Sequence, residues 1–451
     1  MSNVVMLISD EHNPKYATPY GHSMVRTPNM ERLAQAGTVF ENAYCPSPLC
    51  MPSRSALMAG RWVHEIRTYS NCNANMEGFD YPSYGAVLTD QGVHTVHIGK
   101  TDVYRPSTEL GFSEMLLPND RALPGDTNHG RTPLSVRADG AERANRYGPS
   151  PSPFGVDMGY ADRAIEWLRT VAPTLDKPWV LSVNIHKPHF PHWVTQELWD
   201  MYPEGGDLPE HGPECASANH PYALDLRKHF QTDQFEEEHI RGLRRGYLGC
   251  VTFVDRQLGR LMEAVEFARL AADTNVIYTT DHGEMLGKFG MWWKCSLYDD
   301  SLRVPLIAAG PDFARGQRVA TPVSTMDMQA SCFTCTNTQR PEGWRGQPLQ
   351  EIAPNDPERI VFAEYHGHGT RSGAYMVRQG RYKYMRYMAA PPQLFDMESD
   401  PEELENLAER LPERVAAMDA ALCLICDPER ENERAHAFER AQLDTIAERD
   451  V

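Results

Sequence analysis

The chain has 451 residues, 41% of them hydrophobic, and a formal net charge of −18 at pH 7. This length and composition predict an α/β enzyme with one large core and a smaller appendage, and the acidic balance argues against nucleic acid or an anionic membrane as a partner. Because no targeting segment precedes the first apolar strand and no apolar run reaches transmembrane length, we expect a cytoplasmic protein.

The first predicted strand, residues 4–8, is an uninterrupted apolar run, which is typical of a parallel strand buried on both faces. Asp10 and Glu11 follow it directly. Open α/β sheets bind their ligands beyond the carboxyl ends of the strands, so these two carboxylates are candidate site residues. A solvated loop is the alternative for this pair taken alone.

A predicted helix at residues 27–37 is followed by a second helix that begins near Cys50 and Pro52 and ends at Gly60. Cys50 therefore lies at a helix N-terminus, where unpaired N–H groups and the helix dipole favour an anion. Arg54 lies one turn along the same face and offers a guanidinium that binds tetrahedral oxyanions. We interpret this segment as a nucleophile and its anion seat; a buried structural cysteine is the alternative.

Further candidates follow along the chain. Asn71 offers a hydrogen bond to a substrate oxyanion, with a turn-forming role as the alternative. Lys100 and Asp102 follow the predicted strand at residues 94–98. Residues 106–152 show little periodicity, and we predict an irregular insertion over the active-site edge.

The strand predicted at residues 179–185 ends in the histidine-rich segment that contains His186 and His189. A second polar insertion is predicted at residues 195–232, and one or two long helices at residues 236–270. The strand predicted at residues 275–280 ends in Asp281 and His282, and Lys294 follows a turn.

Because the carboxyl ends of parallel strands share one edge of a sheet, these groups should converge around Cys50. Carboxylate oxygens from two loops are what a divalent cation requires, and Asp10, Glu11 and Asp281 supply them. His282 is then either a nitrogen ligand or the acid that protonates the leaving group.

From about residue 345 the pattern changes to short alternating strands and helices, which predicts a small α+β subdomain with an antiparallel sheet. In its glycine-rich loop, Arg371 is a candidate for reading a carboxylate or hydroxyls of the substrate, with a plain exposed loop as the alternative. We predict a catalytic domain at 1–345, the subdomain at 346–428 and a charged helical tail at 429–451 that packs on the surface or on a second subunit. Within the subdomain we predict strands at 361–365, 375–379 and 382–387 and helices at 400–411 and 414–422.

Ten cysteines fit a reducing compartment and do not form the pattern of a secreted disulfide framework. The pairs Cys332/Cys335 and Cys423/Cys426 have metal-like spacing, but they are far apart in the chain and lack the compact spacing of a zinc ribbon. We therefore favour structural packing over a shared zinc site.

The segment around Cys50 resembles the signature of formylglycine-dependent type I sulfatases, Cys-x-Pro-Ser-Arg-x4-Thr-Gly-Arg, with Ala59 in place of the threonine. The first 310 residues are also similar in layout to sulfatases of the alkaline phosphatase superfamily, which are related to phosphonate monoester hydrolases. The resemblance implies a large, mostly parallel sheet sandwiched by helices. It also implies oxidation of Cys50 to formylglycine by a maturation enzyme, and hydrolysis in which the hydrated aldehyde attacks the ester.

The resemblance implies one divalent metal, with calcium favoured and manganese as the alternative. It assigns the ligands to Asp10, Glu11, Cys50, Asp281 and His282, with Glu11 standing where a second aspartate is commoner. Arg54, Lys100 and Lys294 would offset the sulfate charge, and Lys294 or His189 would protonate the leaving oxygen. Asp102 stands where histidine is usual in Gly-Lys-x-His, and a Gly-Lys-x-Asp variant occurs in the branch that resembles glucuronate sulfatases.

The predicted activity is hydrolysis of a small organic, aryl or sugar sulfate to an alcohol and inorganic sulfate. The Asp102 variant favours a sugar acid, whereas Trp292 and Trp293 leave choline sulfate open through cation–π contact. The alternatives are a phosphonate monoester or phosphodiester hydrolase with the same nucleophile, and a non-catalytic binding protein of this fold. The protein is a possible homo-oligomer.

Overall fold

A computed structural model describes residues 1–74, 81–202 and 207–449. The strands in these ranges are β1 (Asn3–Asp10), β2 (Thr38–Phe40), β3 (Ala43–Tyr44), β4 (His94–Lys100), β5 (Glu114–Asn119), β6 (Tyr147–Pro149), β7 (Trp179–Pro188), β8 (His192–Val194), β9 (Thr274–Thr280), β10 (Arg303–Val304), β11 (Leu306–Ala309), β12 (Gln317–Val319), β13 (Val323–Ser324), β14 (Ile360–Tyr365), β15 (Ala374–Gln379), β16 (Tyr382–Tyr387) and β17 (Gln393–Asp396).

Short 3₁₀ turns connect several of these elements. The α-helices are α1 (Pro28–Ala36), α2 (Cys50–Ala59), α3 (Val63–Ile66), α4 (Tyr84–Asp90), α5 (Gly155–Thr170), α6 (Gln196–Asp200), α7 (Pro221–Phe230), α8 (Glu237–Phe267), α9 (Asp299–Leu302), α10 (Thr325–Thr336), α11 (Pro412–Cys423) and α12 (Pro428–Arg449).

The central sheet has eight strands in the spatial order β12-β2-β11-β9-β1-β7-β4-β5. The strand β1 pairs in parallel with both β7 and β9, and β4 pairs in parallel with β7 and β5, whereas β11 is antiparallel to its neighbours. This arrangement confirms the predicted α/β fold with a large, mostly parallel sheet.

Helices cover both faces of this sheet, and β1 shows why its sequence is apolar throughout. Val4 and Met6 belong to one buried core with residues of α2 and α10, whereas Val5 and Leu7 belong to a second core with residues of α5 and α8. A strand with side chains in two cores has no polar face, which is the pattern of a parallel strand between two layers.

The strands predicted at residues 4–8, 94–98, 179–185 and 275–280 lie within β1, β4, β7 and β9. The helix predicted at 27–37 is α1, and the long segment at 236–270 forms the single helix α8. Pro305 separates β10 from β11, because proline lacks the N–H that a sheet ladder requires.

Two predictions of local structure were wrong. Residues 106–152 are not irregular throughout, because β5 adds a strand to the edge of the main sheet; its half-buried and exposed side chains, with Pro118 among them, lack the pattern of a buried strand. The insertion predicted at 195–232 stays a prediction; its described part, which omits residues 203–206, contains α6 and α7. Residues 400–411 form turns rather than a helix, because Asp400 accepts hydrogen bonds from the N–H groups of Leu404 and Glu405 at 3.0 and 2.8 Å.

The C-terminal part contains the antiparallel sheet β14-β15-β16-β17, with α11 packed on it. This confirms the predicted small antiparallel sheet, while the domain boundaries at 345 and 428 stay predictions. The last helix, α12, lies back on the first half of the chain: Arg131 Nε is 3.0 Å from Glu439 Oε2, and Gln442 donates to the Cys72 carbonyl at 3.1 Å. In the described ranges, no helix combines the length and the apolar character that crossing a membrane would require.

Candidate active site

The first residue of α2 lies beside the carboxyl ends of β1 and β9, and the whole of α2 is buried. The helix ends at Gly60, which has φ 57° in the left-handed region. A Cβ at Gly60 would lie 2.0 Å from the Trp344 ring, so this position requires glycine for both conformation and space. Cys50 is fully buried at the other end of the helix.

Four groups with metal-ligating atoms surround the start of α2. One ligand atom each from Asp10, Cys50, Asp281 and His282 lies within 4.8 Å of all the others. Cys50 Sγ is 3.3 Å from His282 Nε2 and 4.0 Å from Asp10 Oδ1. His282 Nδ1 lies 3.1 Å from the Gly283 carbonyl; donation to that oxygen places a proton on Nδ1 and leaves Nε2 as the ring atom that faces the cluster.

Glu11 adjoins this cluster through an unusual backbone conformation, with φ 69°. Its N–H donates to Asp281 Oδ1 at 3.2 Å, and its Oε2 accepts from Lys294 Nζ at 3.0 Å. Its Oε1 is buried and has no hydrogen-bond partner among the described residues. An orphaned buried carboxylate oxygen, next to two carboxylates and an imidazole nitrogen, fits a divalent cation.

Arg54 braces these carboxylates. Its Nε donates to Asp281 Oδ2 at 2.7 Å, its Nη1 donates to Asn184 Oδ1 at 3.1 Å, and its Nη2 lies 3.7 Å from Asp10 Oδ2. The sequence predicts that this guanidinium binds a substrate oxyanion. The structure instead directs it at the protein's own carboxylates.

Two lysines complete the inner site. Lys100 donates to Asp10, and its Nζ lies 3.3 Å from Asp102 Oδ2. Lys294 Nζ lies 2.5 Å from His189 Nε2 as well as beside Glu11. Both lysine side chains are nearly buried, so they place two positive charges where little water screens them.

These charges shift the neighbouring pKa values. Burial alone would raise the pKa of Asp10, but Lys100, followed by His189 and Arg54, holds it well below its usual range. Burial and Asp10 oppose ionisation of Cys50, yet Lys100 and Lys294 lower the pKa of its thiol well below the usual value. Nearby cations therefore favour an anion at position 50.

The other predicted site residues in this region each bind a neighbouring residue of the protein. Asn71 accepts a hydrogen bond from the Met51 N–H at 3.0 Å and so satisfies a free donor in the first turn of α2. His186 Nδ1 lies 3.0 Å from Asp157 Oδ1, while Asp102 receives both Arg121 Nε and Nη2 at 2.6 Å.

Arg371 lies apart from this group. It makes a two-bond ion pair with Asp225 at 2.8 and 2.7 Å, and its side chain is 56% exposed. His368 of the same loop, rather than Arg371, reaches the cavity beside the inner site.

That cavity has a volume of about 560 Å³. It contains the exposed faces of both inner lysines and many side chains from the segment at 121–143, which sequence reasoning did not single out. The lining residues are Asn71, Lys100, Arg121, Ala122, Gly125, Asp126, Thr127, Asn128, Arg137, Arg143, His186, His189, Phe190, Phe230, Trp293, Lys294 and His368. The density of arginine in the first insertion is the one sequence signal that could have drawn attention to this segment.

The paired cysteines lie elsewhere. Cys332 and Cys335 are buried on α10, while Cys423 is exposed and Cys426 is buried near the end of α11. In the described parts of the chain, neither pair belongs to a group of potential metal ligands. Structural packing remains our interpretation of both pairs.

Comparison with known families gives two matches. The family model described as "Sulfatase" matches residues 2–338. The model described as "N-sulphoglucosamine sulphohydrolase, C-terminal" matches residues 287–422.

Similar proteins cover nearly the whole chain. Choline-sulfatase of Rhizobium meliloti (strain 1021) is 30% identical over 438 residues, which are 90% of this chain and 82% of that protein. Arylsulfatase K of Xenopus laevis is 26% identical over 478 residues, 98% of this chain and 85% of that protein. Among solved structures, the phosphonate monoester hydrolase of Agrobacterium radiobacter has a TM-score of 0.74 at 22% identity, with coverage of 94% of this chain and 95% of that one.

Proposed function

The chain belongs to the sulfatase family and is a sulfuric ester hydrolase, and from this premise we propose that it hydrolyses a small organic or sugar sulfate with a formylglycine at position 50 and one divalent metal ion. The observation that carries the proposal is the cavity. It gives access to Lys100, His189 and Lys294, and these residues contact Asp10 and Glu11 beside Cys50.

We propose that a maturation enzyme oxidises Cys50 to formylglycine. Cys50 supplies the first residue of α2, and Lys100 and Lys294 lower the pKa of its thiol, so negative charge is favoured at this position. A hydrated aldehyde offers two hydroxyls: one attacks sulfur as the alcohol leaves, and the other then expels inorganic sulfate. Splitting the displacement into two steps is the general advantage of covalent catalysis.

Asp10, Glu11, Asp281 and His282, together with the modified Cys50, would hold the metal. Its fit is supported by the clustered ligand atoms and by the orphaned Glu11 Oε1. A bound divalent ion supplies Lewis-acid polarisation of the ester and lowers the pKa of a nearby hydroxyl. Calcium is our first choice because the available ligands are mostly carboxylate oxygens, and manganese is the alternative.

Lys294 and His189 are our candidates for protonating the leaving oxygen. Both line the cavity, and their nitrogen atoms are 2.5 Å apart, so they can share one proton. Burial opposes the charge on Lys294, but Cys50 and Glu11 hold its pKa above the ordinary value. A charged lysine next to the imidazole provides a proton at the point where the alkoxide forms.

The cavity favours an anionic or neutral leaving group over choline. We had left choline sulfate open because of Trp292 and Trp293. Trp293 lines the cavity, but the Arg143 guanidinium already lies 5.1 Å from its ring centroid. A quaternary ammonium group would have to displace that arginine and approach its positive charge.

The test compares kcat/KM for an aryl sulfate, choline sulfate, a sulfated uronate and a phenyl phosphonate under one condition. We expect the sugar or aryl sulfate to have the highest value. A phosphonate preferred by more than about a hundredfold, equivalent to about 2.7 kcal/mol of transition-state preference, would replace the sulfatase assignment with a phosphonate hydrolase. The Cys50→Ala variant is the matched control for background hydrolysis.

A further inference from the structure

Two arginines on the outer wall of the cavity have hydrogen-bonding capacity that the described protein does not use. Arg143 donates from Nε to Asp139 Oδ2 at 3.1 Å. Its two Nη groups have no hydrogen-bond partner among the described residues, although its side chain is only 18% exposed. The guanidinium is held by aromatic stacking, at 5.3 Å from the ring centroid of Phe190 and 5.1 Å from that of Trp293.

Arg137 lies in the same wall. It donates from Nη1 to Asp126 Oδ2 at 2.7 Å, while its buried Nε has no hydrogen-bond partner in the described ranges. Asp139 approaches that Nε to 3.5 Å without completing a hydrogen bond. Each arginine thus has a carboxylate neighbour; the Arg143 Nη groups remain available beside the cavity, whereas the buried Arg137 Nε contributes positive charge rather than an accessible donor.

The two guanidinium groups also affect each other. Burial, followed by the charge of Arg137, lowers the pKa of Arg143 from its ordinary value. A lowered arginine pKa means that the charged form is not fully compensated by the protein around it. The Asp139 side chain is 36% exposed, so water screens its carboxylate and it does not neutralise the charges of both arginines.

Arg143 packs against the two segments that carry the proposed leaving-group acids. Phe190, which stacks with Arg143, follows His189 directly in the chain, and Trp293 precedes Lys294 directly. His189 and Lys294 are the residues that we propose to protonate the leaving oxygen. A group that contacts Arg143 is therefore carried by the alcohol part of the substrate and not by the sulfate under attack.

We propose that Arg137 and Arg143 form a second anion subsite, which binds a carboxylate or a second sulfate on the leaving group of the ester. The inference rests on the proposed function and adds a substrate class to it: sulfate esters of alcohols that carry their own negative charge. The unused Nη groups of Arg143 supply the hydrogen bonds, and Arg137 adds positive charge beside them. The Phe190 and Trp293 rings hold the Arg143 guanidinium plane, so little order is lost on binding.

The experiment uses three aryl sulfates that differ at one ring position: 3-carboxyphenyl sulfate, its methyl ester, and benzene-1,3-disulfate. The methyl ester keeps the shape and removes the charge. We expect Arg143→Gln to lower kcat/KM about 10- to 100-fold for one or both charged probes, the range typical of a lost hydrogen bond to an ion, and to leave the methyl ester within about threefold. The probe with the larger loss identifies whether the subsite binds carboxylate or sulfate.

Two further variants sharpen the result. Arg143→Lys keeps the charge and should recover part of the loss. Arg146→Gln should change none of the three values, because this partly exposed arginine pairs with Glu142 at 2.9 Å outside the cavity lining.

Equal losses for the charged and uncharged probes in Arg143→Gln would show a structural role and overturn the proposal. The proposal also fails if this variant changes none of the three values. If the wild-type protein hydrolyses none of these sulfates but does cleave the phenyl phosphonate, the proposed function fails first, and that result is distinguishable from failure of the subsite alone.

Discussion

Replacing Arg54 tests whether this residue holds the carboxylates of Asp10 and Asp281 in place or binds the substrate. Arg54→Gln removes a buried guanidinium whose Nε lies 2.7 Å from Asp281 Oδ2 and whose Nη2 lies 3.7 Å from Asp10 Oδ2. Both carboxylate side chains are fully buried. Removing one partner of a buried ion pair leaves an uncompensated charge, which costs about 3–5 kcal/mol.

This cost should appear in the melting temperature. Unfolding entropy scales to about 0.95 kcal/mol/K for a chain of 451 residues, so the expected fall is about 3–5 °C. Activity should fall by at least about 100-fold, because misplacing a catalytic carboxylate by about 1 Å has an effect of that size.

The assay is thermal unfolding by circular dichroism, with kcat and KM measured on the same preparation. The matched control is Arg163→Gln, at an arginine that pairs with Glu166 at 2.7 Å with side chains 37% and 60% exposed; it should shift the melting temperature by less than about 1 °C. An unchanged melting temperature in Arg54→Gln with a raised KM and a normal kcat would refute the bracing role and restore the expectation that Arg54 binds the substrate oxyanion.

Three further predictions concern the nucleophile, the metal and pH. Peptide mass spectrometry of active protein should find an aldehyde at Cys50, and Cys50→Ser should accumulate a sulfate ester after one turnover; active protein with only unmodified Cys50 would falsify the mechanism. Asp281→Ala should lose the bound divalent metal, measured by elemental analysis, whereas Cys332→Ser should retain it; full activity in chelator-treated, metal-free wild-type protein would exclude a catalytic metal. Burial lowers the pKa of His229 to about 4. Between about pH 6.5 and pH 4 this side chain is therefore protonated in the unfolded chain but neutral in the folded chain. The stability that is present above about pH 6.5 is lost as the pH falls towards 4. This group contributes about 3 kcal/mol to that loss, and urea unfolding at several pH values should show a shallower dependence in His229→Gln; an identical dependence would contradict this account.

The parts of the fold that were predictable from sequence are those fixed by local pattern. Residues 4–8 of β1 are apolar throughout because two cores contact that strand, and polar residues mark the carboxyl ends of β1, β4, β7 and β9. The limits of α2 were predictable because proline favours the first turn of a helix and a glycine in the left-handed region ends one, as Pro52 and Gly60 do here. The edge strand β5 and the turns at 400–411 were missed because an edge position and competing side-chain hydrogen bonds leave no periodic signal.

The candidate site also contains residues that the sequence predicts and residues that it does not. Residues at strand ends were predictable because parallel topology brings those ends to one edge. The ion pair of Arg54 was not predictable. The sequence around α2 indicates a helix that carries a charged residue, but it does not indicate that Asp281, 227 positions away, accepts the hydrogen bond from Arg54 Nε. Arg137 and Arg143 were missed because their importance depends on stacking and on unsatisfied donors, and neither is visible in a one-dimensional pattern.

The cavity also accounts for how an acidic protein accepts an anion. The chain has a formal net charge of −18, which would repel an anionic ester at long range. At physiological salt, exposed charges are largely screened beyond about 8 Å, so the final approach depends on the nearest groups. The described cavity lining contains five lysine or arginine side chains and a single carboxylate, Asp126. Most of those cations belong to the first insertion or to the turn before α9, so the sheet edge supplies the reacting groups and the loops supply the local field that draws the substrate to them.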